Sequence, residues 1–157
     1  MDNEPLAATE TIPPHDRKGA RNVTLERLAI LYVRIALGSA FLSAVADRFG
    51  LWGKYGGWGN FANFTKYTAE VNSFMPAWTI PYIAWIATAA ETFFAIALLI
   101  GIWPRWIALG TAVLLALFGT AMAISFGIRS PLDYSVFSAS AAAFLLAVHD
   151  VPKSSAA

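Results

Sequence analysis

The 157-residue chain contains no cysteine and two histidines. A disulfide within the chain, a thiolate nucleophile and a cysteine-held iron–sulfur cluster are therefore excluded, and zinc would have to rely on scarce histidines. Of these, His15 sits in the polar N-terminal stretch and His149 at the end of the last apolar run, so an intrachain bis-histidine haem is not expected. Charge is also scarce. Asp, Glu, Lys and Arg make up 13% of the residues, about half the share usual in a soluble domain. Eleven Lys and Arg against ten Asp and Glu leave a formal net charge of +1, which gives no excess to hold nucleic acid. Glycine-rich phosphate loops, His-Glu zinc motifs and serine nucleophile elbows are missing, and Gly56-Gly57-Trp58-Gly59 has the wrong spacing for the first of these. No soluble-enzyme chemistry and no metal site are encoded.

What is present is apolar: 57% of the residues are hydrophobic. Residues 1–27 hold nearly half of the charged side chains together with Pro13-Pro14, and read as a cytoplasmic tail turning helical near Thr24 or Leu25. Four apolar runs follow, at about residues 28–46, 80–100, 106–126 and 132–148. The first spans about 30 Å of hydrocarbon at ~1.5 Å per residue and carries one charge, Arg34. Read instead as a signal-peptide core, it would be cleaved after Ala44-Val45-Ala46, but its flank is long and acidic as well as basic. Short turns at Gly101–Arg105 and Gly127–Pro131 join the later runs as antiparallel neighbours. The expected fold is an all-α integral membrane up-down four-helix bundle spanning 28–148, followed by a cytoplasmic tail at 149–157. Arg17, Lys18, Arg21, Arg27, Arg105 and Lys153 on one side, against Arg48, Lys54, Lys66 and Arg129 on the other, place both termini in the cytoplasm.

The one long connection, Asp47 to about Thr79, carries aromatics every third residue from Phe49 to Tyr67. Its first half is glycine-rich and irregular. Asn60 can then cap a helix on which Phe61, Phe64, Thr68, Val71 and Met75 share a face, giving an interfacial amphipathic helix between helices one and two. The aromatics read either as a membrane-interface belt or as the walls of a flat ligand site to which Trp52, Tyr55 and Trp58 contribute.

Charges inside the membrane are costly and are paired or functional. Helix midpoints near residues 37 and 90 put Arg34 about 4.5 Å and Glu91 about 1.5 Å to the same side of the midplane, so these two are expected to face each other. The pair either fixes helix register alone or lines a polar pocket in which Arg34 holds a carbonyl or anion and Glu91 accepts a proton. Asp47 and Arg48, ending helix one, are either a second polar contact for a ligand or side chains snorkelling to the interface. The serines of helices one and four read as interhelical hydrogen-bond formers, and Asp133 as serving the first turn of helix four.

The run from Arg34 through Leu37-Gly38 and Phe41 to Asp47-Arg48-Phe49 resembles the first-helix signature of the DoxX family. Ala90-Glu91 through Leu98-Leu99-Ile100-Gly101, then Pro104-Arg105, resembles that family's second helix and basic turn. The likeness covers 28–148. It departs at Val45-Ala46, where the family often has glycine, and in the longer aromatic connection. The resemblance implies a four-helix bacterial inner-membrane protein, in some members a subunit of a thiosulfate:quinone oxidoreductase and in others a partner in membrane-associated redox complexes. It makes Arg34, Asp47, Arg48 and Glu91 the polar intramembrane site. The expected function is then a membrane subunit that anchors a further redox subunit and offers a quinone site with no covalently bound cofactor. A noncatalytic scaffold or assembly factor and, further off, a small-solute carrier are the alternatives.

Overall fold

A computed structural model describes residues 14–149, with side chains from residue 24 onward. The described residues are all helical or in connections, with no strand. They form α1 (Pro14–Arg48), α2 (Phe61–Val71), α3 (Ile80–Ile100), α4 (Pro104–Phe126), α5 (Arg129–Asp133) and α6 (Val136–His149), with short 3-10 turns at Gly53–Tyr55 and Ala77–Thr79. The chain divides into two units, Met1–Leu31 and Tyr32–Ala157. In the first, α1 is already helical at Pro14, so residues 14–27 are not the irregular tail that their charge suggests. Residues 1–13 and 150–157 lie outside the description.

Three stretches are long and apolar enough to cross a membrane: Thr24–Arg48, Ala77–Ile100 and Pro104–Phe126. This is a multi-pass membrane protein. The expected fourth helix, 132–148, is not continuous. The chain breaks after α5 at Tyr134 and at Ser135, a non-glycine residue at φ 55°, and α6 begins only at Val136. Fourteen residues make α6 about 21 Å long, short of a full span by itself. It packs along α4, where Ser140 Oγ donates to the Ala112 carbonyl at 2.8 Å, the interhelical role expected of this serine. Asp133 does not serve a fourth helix start. It accepts from Arg129 Nε at 3.1 Å across one turn of α5, both side chains being largely exposed, a pairing that contributes little.

The amphipathic segment forms as its period dictates only as far as Val71, where α2 ends, so Met75 lies outside the helix and is exposed rather than on its inward face. Asn60 Oδ1 accepts from the Asn63 amide at 2.9 Å, closing the N-terminus of α2, and Phe64, Thr68 and Val71 turn inward. Ser125 Oγ near the end of α4 donates to the Val71 carbonyl at 2.6 Å, which ties the end of α2 to that of α4.

The register of α1 on α3 follows from a small residue. A Cβ on Gly38 would meet Leu99 Cγ at 2.8 Å and the Ala95 carbonyl at 3.2 Å, so the two helices lie in contact there. This slides α1 about two turns from the register given by the hydropathy midpoints, and Arg34 comes level with the end of α3 rather than with Glu91. Its Nε donates to the Leu98 carbonyl at 2.8 Å. That carbonyl has no helical partner, because the Ile102 amide donates to Ala97 instead. Gly101 closes the helix at φ 87°, and a side chain there would collide with the Arg34 guanidinium, so glycine is required twice over. Arg34 and Glu91 do not pair. Arg34 finishes a helix end.

Candidate functional site

With α1 in this register, Arg48 rather than Arg34 reaches Glu91. Both Glu91 carboxylate oxygens accept from Arg48 Nη2 at 2.7 Å, and Nη1 donates to Thr88 Oγ1 at 2.9 Å. Each of the two charged residues is 2% exposed, which excludes snorkelling as the role of Arg48. Its guanidinium lies 3.8 Å from the centroid of the Phe64 ring and 5.6 Å from that of Trp58. Thr88 Oγ1 donates to the Ala84 carbonyl at 2.8 Å, so its lone pairs are left to accept from Arg48. Arg48 Nε is the only buried side-chain nitrogen or oxygen without a partner among the described residues. A buried orphan N–H is unfavourable by roughly 1–3 kcal/mol, more for a charged group.

Asp47 points the other way along the chain. Its Oδ2 accepts from the amides of Gly57 at 2.9 Å and Trp58 at 3.0 Å, and its Oδ1 from Gly59 at 3.4 Å. The carboxylate thus folds the glycine-rich loop back over the end of α1. A Cβ on Gly56 would run into it, which accounts for glycine at that position. Trp58, placed by these bonds, packs edge-on against Phe64 at 5.0 Å and against Tyr67 at 5.5 Å between ring centroids. Phe61 in turn lies 4.2 Å from Trp85 of α3.

Beneath this roof is a cavity of about 580 Å³ within Tyr32–Ala157, lined by residues of every helix from α1 to α6 except α5 and by the loop. Most of the wall is apolar, including Leu37, Phe41, Ile83, Leu115, Phe118 and Met122. Polar groups are contributed by Asp47, Arg48, Glu91, Tyr67, Thr68, Asn72 and Tyr134. The volume and the sparse polar lining are those of a site for a small, largely apolar molecule.

A second, more open hollow of about 520 Å³ shares Ala40, Ala44, Asp47, Gly57 and Trp58 with the first. Trp52 and Tyr55 line this one and not the inner cavity. Trp52 Nε1 donates to the Ser43 carbonyl at 3.0 Å, while Tyr55 is 81% exposed with Lys54 over its ring. Of the seven expected site residues, the fold brings Asp47, Arg48, Glu91 and Trp58 to the inner cavity, sets Trp52 and Tyr55 beside it, and leaves Arg34 at the end of α3. Thr88, Phe64 and Tyr67 were not among those seven, although Phe64 and Tyr67 belong to the aromatic series of the long connection. Thr88 sits three residues before Glu91 on one helical face, and Phe64 and Tyr67 are three apart on α2, so the spacing carried that signal.

The model of one protein family, methylamine utilisation protein MauE, matches residues 26–135. The match takes in Arg48, Trp58, Phe64, Tyr67 and Glu91 and ends at the break before α6. This membrane family is related to, but different from, the DoxX family that the first two helices resemble. No curated protein and no solved structure matches the chain.

Proposed function

From the premise that this chain belongs to the family of the methylamine utilisation protein MauE, we propose that it is a membrane subunit of a redox system, binding a flat carbonyl-bearing ring such as a quinone head group in the cavity beside Arg48 and Glu91. The observation that carries this reading is the buried Arg48–Glu91 pair lining a cavity whose walls are mostly apolar. A ligand carbonyl would accept from the guanidinium where it lines the cavity, and the apolar walls accept the ring. Glu91 and Thr88 fix the guanidinium so that it does not turn away, and Phe64 holds it from below. Trp58 supplies an aromatic wall. Asp47 acts through the loop, by placing Trp58.

The chain supplies no thiol, so electrons would be carried by the ligand or by a second subunit docked on this one. The reading includes a bacterial inner membrane with both termini in the cytoplasm, α5 and α6 together making the fourth crossing. Purification from the native membrane in mild detergent, with mass analysis of bound lipids and proteins, tests it. Quinone retained together with a redox protein, and at least fivefold less quinone retained by Trp58→Ala, is the expected result. A partner protein without quinone in the wild type would overturn the ligand reading in favour of a scaffold whose ion pair only fixes packing.

A further inference from the structure

The cavity holds polar groups that the ion pair does not use, and Tyr67 is the one whose ring packs on Trp58. Tyr67 lines it from α2, with its ring 5.5 Å from Trp58 and 6.3 Å from Phe126 of α4. Its hydroxyl makes no hydrogen bond among the described residues, unlike Thr65 and Thr68 on the same helix, which bond back to carbonyls one turn earlier. Arg48 Cζ lies 5.6 Å from the same Trp58 ring. One indole thus lies within 6 Å of both a cavity-lining guanidinium and a cavity-lining phenol. Burial, and after it the neighbouring Tyr134 and Glu70, raise the Tyr67 pKa above that of an ordinary tyrosine, so the hydroxyl remains a donor.

We infer that the molecule held here is planar with an acceptor oxygen at each end, of the 1,4-quinone type, one oxygen accepting from Arg48 and the other from Tyr67. The inference rests on the ligand reading above and adds to it a second contact and a selectivity rule. A ring with a single carbonyl satisfies only one of the two donors and leaves the other desolvated, whereas two oxygens on opposite edges of one ring satisfy both. The ring between them meets the aromatic wall of Trp58.

Equilibrium dialysis of the detergent-purified full chain tests this with two probes on one bicyclic frame, 2-methyl-1,4-naphthoquinone and 2-methyl-1-tetralone. The chain has no cysteine to trap the quinone by thiol addition. The wild type is expected to bind the dione at least fivefold more tightly than the monoketone. Tyr67→Phe, which keeps both ring contacts, is expected to abolish that preference by weakening the dione about fivefold while leaving the monoketone within twofold. Equal affinities of the wild type for the two probes, or an equal change in both on Tyr67→Phe, would overturn the Tyr67 contact while the cavity reading stands. Binding of neither probe by the wild type would overturn both.

Discussion

Arg48 and Glu91 are held so closely that each depends on the other for its tolerance of burial. Leaving one charge of a buried pair without its partner destabilises by roughly 3–5 kcal/mol, whereas an amide in place of the carboxylate can still accept from the guanidinium. Glu91→Leu is therefore expected to lower stability by about 3–5 kcal/mol and Glu91→Gln by clearly less, read as the midpoint of denaturant unfolding in detergent; equal losses would show that the carboxylate does not carry the pair. Arg34→Gln removes only a hydrogen bond to one helix-end carbonyl, and an effect of about 1 kcal/mol is expected in the same measurement. Both charged residues of the pair were visible in the sequence as polar groups within or beside apolar runs. Their pairing was not. Depth arithmetic treats each hydrophobic run as centred in the bilayer, and it fails here because the end of α1 is covered by the protein's own loop, so that Arg48 is a buried residue and not one at the water boundary.

Two elements show how far local signals reach. The helix α2 was legible because a capping asparagine and a helical apolar period agree at Asn60–Val71. The loop before it was legible only as irregular, since nothing in the sequence says that a carboxylate at the end of α1 would gather the amides of residues 57–59. Asp47→Ala is expected to free those amides, raising their hydrogen exchange at least tenfold while leaving exchange in α3 unchanged; unaltered exchange at 57–59 would assign the loop's order to its aromatic packing alone. The break between α5 and α6 was hidden by an apolar run that continues through it. It turns on Ser135, whose left-handed backbone disfavours any residue with a Cβ by about 1–2 kcal/mol. Ser135→Gly is accordingly expected to raise stability by about 1 kcal/mol, read as the midpoint of denaturant unfolding in detergent; a loss instead would mean that the serine makes a contribution beyond its backbone.

At the scale of the molecule, hydropathy was enough to identify a helical membrane protein, and three of its four runs recur within the membrane-length stretches Thr24–Arg48, Ala77–Ile100 and Pro104–Phe126, the first belonging to an α1 that starts well before the expected limit. The number of crossings was not legible, because the fourth apolar run breaks at Tyr134–Ser135 and the 14-residue α6 reaches only about 21 Å by itself. The balance of Lys and Arg over the connections sets a testable orientation. Because the chain has no cysteine, single cysteines report their side of the membrane without a background. Lys66 lies on α2, which is tied through Val71 and Ser125 to the end of α4, and Arg105 lies at the start of α4, a 23-residue helix away, about 34 Å at 1.5 Å per residue. Lys66→Cys is expected to react with an impermeant maleimide in intact cells, and Arg105→Cys only after the membrane is breached. The reverse pattern would invert the topology. A third position, Ser154→Cys, then counts the crossings: protection together with Arg105 makes α5 and α6 a complete fourth span, while labelling from outside together with Lys66 stops the count at three and makes α6 a helix that lies along α4 without carrying the chain across.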